Sequence, residues 1–181
     1  MNFPNLITIG RILLVPLTIW LLISEEFGLA FGVFVVAGIS DGVDGYLARV
    51  TNNQTELGAY LDPIADKALL VSVFATLGII KILPAWLVLL VITRDVLIVG
   101  GVVLAWLVGS PLAMKPLWIS KVNTVAQIVF VGLVLGALGL HFEARQLFQL
   151  GSFVVAAFTL ASGAYYIRDW IKHVSGPGET I

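Results

Sequence analysis

Four aspartates at fixed spacing stand out in a chain that is otherwise poor in charge: Asp41 and Asp44, then Asp62 and Asp66. They lie in Ser40-Asp41-Gly42-Val43-Asp44-Gly45-Tyr46-Leu47-Ala48-Arg49 and in Gly58-Ala59-Tyr60-Leu61-Asp62-Pro63-Ile64-Ala65-Asp66-Lys67. Carboxylates in or near a bilayer are costly and mark function by default. Four at close quarters repel one another unless positive charge sits among them. A pair of divalent cations meets that need, because hard cations take oxygen ligands. On a helix, positions three apart (41 and 44) or four apart (62 and 66) share a face. The polar turn Thr51-Asn52-Asn53-Gln54-Thr55 joins the two helices as an antiparallel pair, so the acidic faces can converge. Asp66 falls about 15 Å along its helix from residue 56, at 1.5 Å per residue. That depth predicts a site inside the cytoplasmic half of a membrane, at the bottom of a water-accessible pocket. Gly45 and Gly58 let backbone approach a ligand closely. Arg49, about one turn beyond Gly45, can hold a phosphate or a nucleobase. Plain ion pairs with Lys67 or Arg94, or a proton relay, are the alternative uses of such carboxylates.

The elements that position these residues follow from composition. The chain has 181 residues, of which 59% are hydrophobic and 12% charged, and its mean hydropathy is +1.03. A soluble domain of this size cannot hide so much apolar surface, so the sequence predicts an all-α polytopic membrane protein. A net charge of -1 gives no reason to expect nucleic acid as a partner. With no cysteine, disulfides, thiolate metal sites and a cysteine nucleophile are excluded. The two histidines, His141 and His173, fall near expected helix ends, which argues against an imidazole metal site.

Crossing the hydrocarbon takes about 20 apolar residues, and six transmembrane helices are predicted near 5–24, 27–49, 57–80, 84–108, 118–140 and 147–171. The first apolar run lacks a small-residue cleavage site and reads as a retained helix. Six spans put both termini on one side, with Arg11, Arg49, Lys115, Lys121, Arg168 and Lys172; the other side has Lys81 and Arg145. The basic excess predicts cytoplasmic termini and a cytoplasmic active site. Trp20, Trp86, Trp106, Trp118 and Trp170 all fall near span ends, as an interfacial belt does. One domain over 1–174 is expected, with a flexible tail at 175–181.

The acidic segment resembles the signature of the CDP-alcohol phosphatidyltransferase family: D-x-x-D-G-x-x-A-R, eight residues, then G-x-x-x-D-x-x-x-D. Asp41, Asp44, Gly45, Ala48, Arg49, Gly58, Asp62 and Asp66 match every fixed position. The resemblance implies that Asp41, Asp44, Asp62 and Asp66 hold two divalent cations, Mg²⁺ or Mn²⁺. These grip the diphosphate of a CDP-linked lipid, and Asp66 is the expected general base. An acceptor hydroxyl then attacks the phosphorus next to the diacylglycerol and CMP leaves, chemistry that suits a two-metal site and a carboxylate base. CDP-binding is expected from Asn5, Thr8, Asp44, Gly45, Ala48, Arg49 and Gly58. For Asn5 and Thr8, which share a face with Arg11, helix capping and interfacial anchoring stay open as the plainer use. A homodimer is also expected from the resemblance.

The opening Pro4-Asn5-Leu6-Ile7-Thr8-Ile9-Gly10-Arg11 is similar to two subfamilies. One uses glycerol 3-phosphate to make phosphatidylglycerol phosphate; the other, eukaryotic-type cardiolipin synthase, uses phosphatidylglycerol. Thr93-Arg94-Asp95-Val96 and Ile119-Ser120-Lys121-Val122-Asn123-Thr124 lean toward the second. The first subfamily more often shows Arg-Glu and then Lys-x-Lys-Thr, where this chain has Asn123. One cation fewer suits a phosphodiester lipid over a doubly charged phosphomonoester. The expected reaction joins CDP-diacylglycerol to phosphatidylglycerol in the bilayer, giving cardiolipin and CMP. Arg94 and Lys121 are expected to hold the acceptor phosphate. Arg94 could instead pair with a metal-site aspartate or with Asp95, and Lys121 could be a snorkelling interfacial lysine. Lys67 points roughly 100° away from Asp66 around the helix, so helix packing and substrate contact both remain open for it.

Two other classes stand beside this reading. A cation- or proton-coupled transporter would use the aspartates as an ion site, but such proteins show related halves or broken helices, and neither is found. A non-catalytic scaffold leaves the eight matched positions without a purpose. Without a long basic, acid-poor presequence, a bacterial cytoplasmic membrane is the expected location.

Overall fold

A computed structural model of the chain describes the backbone of residues 3–51, 56–107, 118–142 and 144–175, and the side chains of residues 10, 12–40, 67–100, 118–142 and 144–168. The described residues form six α-helices: α1 (Phe3–Ile23), α2 (Phe27–Thr51), α3 (Glu56–Ile79), α4 (Ala85–Leu107), α5 (Trp118–Gly139) and α6 (Arg145–Ser175). The all-helical expectation is met, and five of the helices end within two residues of the predicted bounds at each end. The sixth runs past 171 to Ser175, because the first breakers after Arg168 are Gly176 and Pro177.

Three of the links share one device. At each, the helix closes with a pair of reversed hydrogen bonds around a residue in the left-handed region. Glu26 N–H donates to Leu21 C=O (2.9 Å) and Glu25 N–H to Leu22 C=O (3.2 Å). Ile82 with Leu77 and Lys81 with Gly78 repeat the pattern, as do Phe142 with Ala137 and His141 with Leu138. The left-handed residues are Glu25 (φ 60°), Lys81 (φ 62°) and His141 (φ 57°), none of them glycine. All three corners lie at the end of the bundle opposite the aspartates, since successive helices alternate in direction.

Contacts among the described residues link the helices in a ring, α3–α1–α2–α5–α6–α4 and back to α3, with α5 also touching α3 across it. The described parts of α2 and α3 do not pack on each other; α1 lies against both. The core reads directly from helical periodicity. On α3 it is Leu69, Leu70, Val73, Phe74 and Leu77; on α5 it is Phe130, Val131, Val134 and Leu135. Toward the aspartate end the same α5 stripe turns polar, with Asn123 and Gln127 fully buried. The outward faces are apolar: Leu13, Trp20, Ile39, Leu89, Val96 and Phe153 are each more than 60% exposed, a surface suited to lipid and not to water. Among the described residues, two stretches, Trp118–Gly139 and Arg145–Arg168, are long and apolar enough to cross a membrane.

The end of α5 meets the start of α2 backbone to backbone. A Cβ on Gly139 would sit 2.8 Å from the Gly28 Cα, whereas a Cβ on Gly28 would come no nearer than 3.8 Å to Gly139. Backbone cannot swing aside as a side chain can. Gly139→Ala is therefore expected to destabilise the fold by about 1–3 kcal/mol, and Gly28→Ala to be nearly neutral. Thermal unfolding of both variants in detergent checks the asymmetry; equal midpoints would contradict it.

Candidate functional site

Helices α2 and α3 bring the aspartate pairs to one end of the bundle. Asp41 and Asp44 lie on the last three turns of α2, and Asp62 and Asp66 on the first three of α3. A four-residue link joins the two helices. Gly45, Ala48 and Arg49 follow on α2, Gly58 lies in the first turn of α3, and Asn5 and Thr8 lie on the first turns of α1. The side chains of all these residues, and so the expected metal cage and CDP pocket, lie outside the described residues. Among the described residues no three His, Cys, Asp or Glu side chains come together.

One residue beyond Asp66, α3 enters a charged cluster. The Lys67 ammonium on α3 lies 2.9 Å from Asp95 Oδ1 on α4. The same oxygen accepts from Arg94 Nη1 at 2.6 Å. The Arg94 guanidinium reaches further, donating from Nη2 to Ser120 Oγ on α5 (2.7 Å) and to Ser162 Oγ on α6 (2.6 Å). Its Nε donates to Ser162 as well, at 3.2 Å. One small network thus ties four helices together. Arg94 and Asp95 are buried, with side chains 4% and 9% exposed, while the Lys67 side chain is 38% exposed.

The cluster continues into a polar seam between α5 and α6. Thr159 Oγ1 donates to Asn123 Oδ1 at 3.0 Å. The amide nitrogens of Asn123 and Gln127 are buried with no hydrogen-bond partner among the described residues. A buried unmet donor costs roughly 1–3 kcal/mol, so this seam is polar beyond what packing the two helices needs.

Lys121 takes a different place. It is exposed, and its ammonium lies 5.8 Å from the Trp118 ring centroid, one turn earlier on the outer face of α5. That is a cation–π contact at the rim, apart from the Arg94 network. Asp95, Ser120 and Ser162 carry the network although the signature does not include them. Their signal in the sequence is polar residues at helical spacing in apolar helices: Ser120, Asn123 and Gln127 on α5, Thr159 and Ser162 on α6. At the opposite end of the bundle a cleft of about 640 Å³ is lined by Lys81, Trp86, Arg145, Gln149 and Phe153, among others. It holds none of the expected site residues, and its Gly78 wall is roughly 18 Å along α3 from Asp66.

Comparison with known proteins agrees with the signature. Residues 1–163 match the profile of the CDP-alcohol phosphatidyltransferase family. The chain is 37% identical over 185 residues to the chloroplastic CDP-diacylglycerol–glycerol-3-phosphate 3-phosphatidyltransferase 1 of Oryza sativa subsp. japonica, covering 92% of this chain and 56% of that protein. It is 34% identical over 195 residues to the cardiolipin synthase (CMP-forming) of Rattus norvegicus, covering 97% of this chain and 64% of that one. The CDP-diacylglycerol–glycerol-3-phosphate 3-phosphatidyltransferase of Bacillus subtilis is 33% identical over 187 residues, with 93% and 95% covered. The chain therefore spans somewhat over half of the plant and rat relatives and nearly all of the bacterial one.

Proposed function

The chain belongs to the CDP-alcohol phosphatidyltransferase family, and from that premise we propose that it moves a phosphatidyl group from CDP-diacylglycerol to a hydroxyl of phosphatidylglycerol, giving cardiolipin and CMP. The setting is a membrane crossed by all six helices, with both termini and the aspartate end facing the cytoplasm, in a bacterial inner membrane. The apolar outer faces of the bundle and the basic residues at the aspartate end support this placement. Functional copies pair as homodimers.

Asp41, Asp44, Asp62 and Asp66 fit a pair of hard divalent cations, Mg²⁺ or Mn²⁺: the donor set is all carboxylate, from two helices joined by a short link. When bound, such ions neutralise the charge that develops on the departing CMP. Gly45, Ala48, Arg49 and Gly58, with Asn5 and Thr8, cradle the nucleotide. Asp66 takes the proton of the acceptor hydroxyl as that oxygen bonds to the phosphorus bearing the diacylglycerol. The bond from that phosphorus to the bridging oxygen breaks, and CMP departs with the electron pair. Arg94 supplies positive charge for the acceptor phosphate, and Lys121 attracts anionic lipid at the rim.

The observation that carries the choice of acceptor is the charge of the Lys67–Asp95–Arg94 cluster. Among the described residues two cations share one carboxylate, leaving one positive charge over. A phosphodiester lipid matches that charge, whereas glycerol 3-phosphate brings about two negative charges. Asn123 adds to this, because position 123 is buried one turn from the Ser120 that bonds Arg94; a lysine there would place a further cation beside the cluster. The competing reading is phosphatidylglycerol phosphate synthesis, since relatives with that name match at comparable identity. Acceptor competition decides between them. Purified protein in detergent, given labelled CDP-diacylglycerol, is expected to release CMP with phosphatidylglycerol and at least about 10-fold more slowly with glycerol 3-phosphate. The reverse preference would replace the acceptor and leave the family chemistry standing.

A further inference from the structure

We infer that Lys67 is the side chain that grips the acceptor's phosphate directly, and that Asp95 and Arg94 are the positioning residues that hold it there. The inference rests on the proposed phosphatidyl transfer and adds a recognition residue to it. Arg94 is the obvious cation by type, but its hydrogen-bonding capacity is largely spent inside the protein. Four hydrogen bonds run from its Nε, Nη1 and Nη2 to Asp95, Ser120 and Ser162. A guanidinium has five N–H donors in a fixed fork, so one remains, on a side chain that is 4% exposed.

Lys67 is the opposite case. Its ammonium has three donors, Asp95 takes one at 2.9 Å, and the side chain is 38% exposed. The shared Asp95 oxygen fixes where that ammonium sits. Among the described residues, the surplus positive charge of the cluster therefore lies on the lysine, which has both donors and access. Its place in the chain fits the task. Lys67 follows Asp66, the proposed base, so the two occupy successive positions, about 100° apart, on the same turn of α3. In phosphatidylglycerol a three-carbon glycerol separates the attacking hydroxyl from the phosphate. Adjacent helix positions can therefore receive the two ends of one headgroup: the hydroxyl at Asp66 and the phosphate at Lys67.

The test compares Lys67→Gln and Lys67→Arg with the wild type, using turnover on both substrates and calorimetric binding of glycerophosphoglycerol, the soluble phosphodiester headgroup. Lys67→Gln leaves Asp95 paired with Arg94, so no charge is stranded and the variant is expected to fold; its melting midpoint in detergent checks this. Lys67→Gln should raise the KM for phosphatidylglycerol and the Kd for glycerophosphoglycerol by about ten-fold or more, with the KM for CDP-diacylglycerol unmoved. Lys67→Arg, which keeps the charge, should restore most of both. An unchanged acceptor KM and headgroup Kd in Lys67→Gln would overturn the inference, as would a parallel rise in KM for both substrates. If the glutamine variant fails to fold, an arginine variant that folds but binds the headgroup as weakly as it binds neutral glycerol overturns it equally. A wild type that binds glycerophosphoglycerol through Lys67 yet releases no CMP would instead sink the proposed reaction and leave this site standing.

Discussion

Asp66→Asn is expected to cut phosphatidyl transfer by at least about 10³-fold, because the change removes both the proposed general base and one of the four proposed metal ligands. The amide has nearly the shape of the carboxylate, so α3 keeps its packing, but it cannot accept the hydroxyl proton at neutral pH. Asp41, Asp44 and Asp62 remain to hold the divalent cations proposed to grip the diphosphate, so CDP-diacylglycerol binding should stay measurable. Turnover by CMP release and binding by calorimetry, on one preparation, separate the two effects. A variant that turns over within ten-fold of wild type would remove Asp66 from the base role. Loss of CDP-diacylglycerol binding along with turnover would make it a metal ligand foremost. Chelation of divalent cations should silence the wild type as completely as the substitution does.

The second large effect falls on stability. Asp95→Asn takes the one carboxylate from between Lys67 and Arg94 and leaves a buried guanidinium facing a like charge. Breaking a buried pair by removing one partner costs about 3–5 kcal/mol. For a chain of this size that lowers the melting midpoint by roughly 10 °C. Asp95→Glu, which keeps the charge on a longer arm, should recover much of the loss. Lys67→Gln is the control, since it leaves the Arg94–Asp95 pair whole. A midpoint lowered by less than about 2 °C in Asp95→Asn would mean that Ser120 and Ser162 suffice to hold Arg94.

Why some of this was legible in the sequence and some was not follows from the physics involved. Helix positions came through because apolar runs of spanning length were punctuated by Glu25-Glu26, the Thr51–Thr55 turn, Pro84 and the 109–116 stretch. The left-handed corners did not: Glu25, Lys81 and His141 carry no local mark for a conformation that glycine usually takes. The aspartate signature and the family were readable because spacing on a helix is a local property. Asp95, next to Arg94 in sequence, was legible as a candidate partner, whereas the serine partners of Arg94 depend on how α5 and α6 rotate against α4, a tertiary matter that sequence spacing hints at only through the polar stripe of Ser120, Asn123 and Gln127. For Lys121 the hint was nearer, since Trp118 lies three residues earlier on the same face.

If all six helices cross the membrane as proposed, the Arg94 network also constrains the order of biogenesis. Arg94 and Asp95 are made well before the hydroxyls that satisfy the guanidinium, which are encoded 26 and 68 residues downstream. At the moment of synthesis the fourth helix carries an ion pair that lipid tolerates poorly, at about 2.5–3.5 kcal/mol for each such charge at a helix centre. In that topology the fourth helix gains by staying sheltered from lipid until the final hairpin emerges and its serines dock. A chain stalled before codon 162 is then expected to keep its fourth helix from full release into the bilayer.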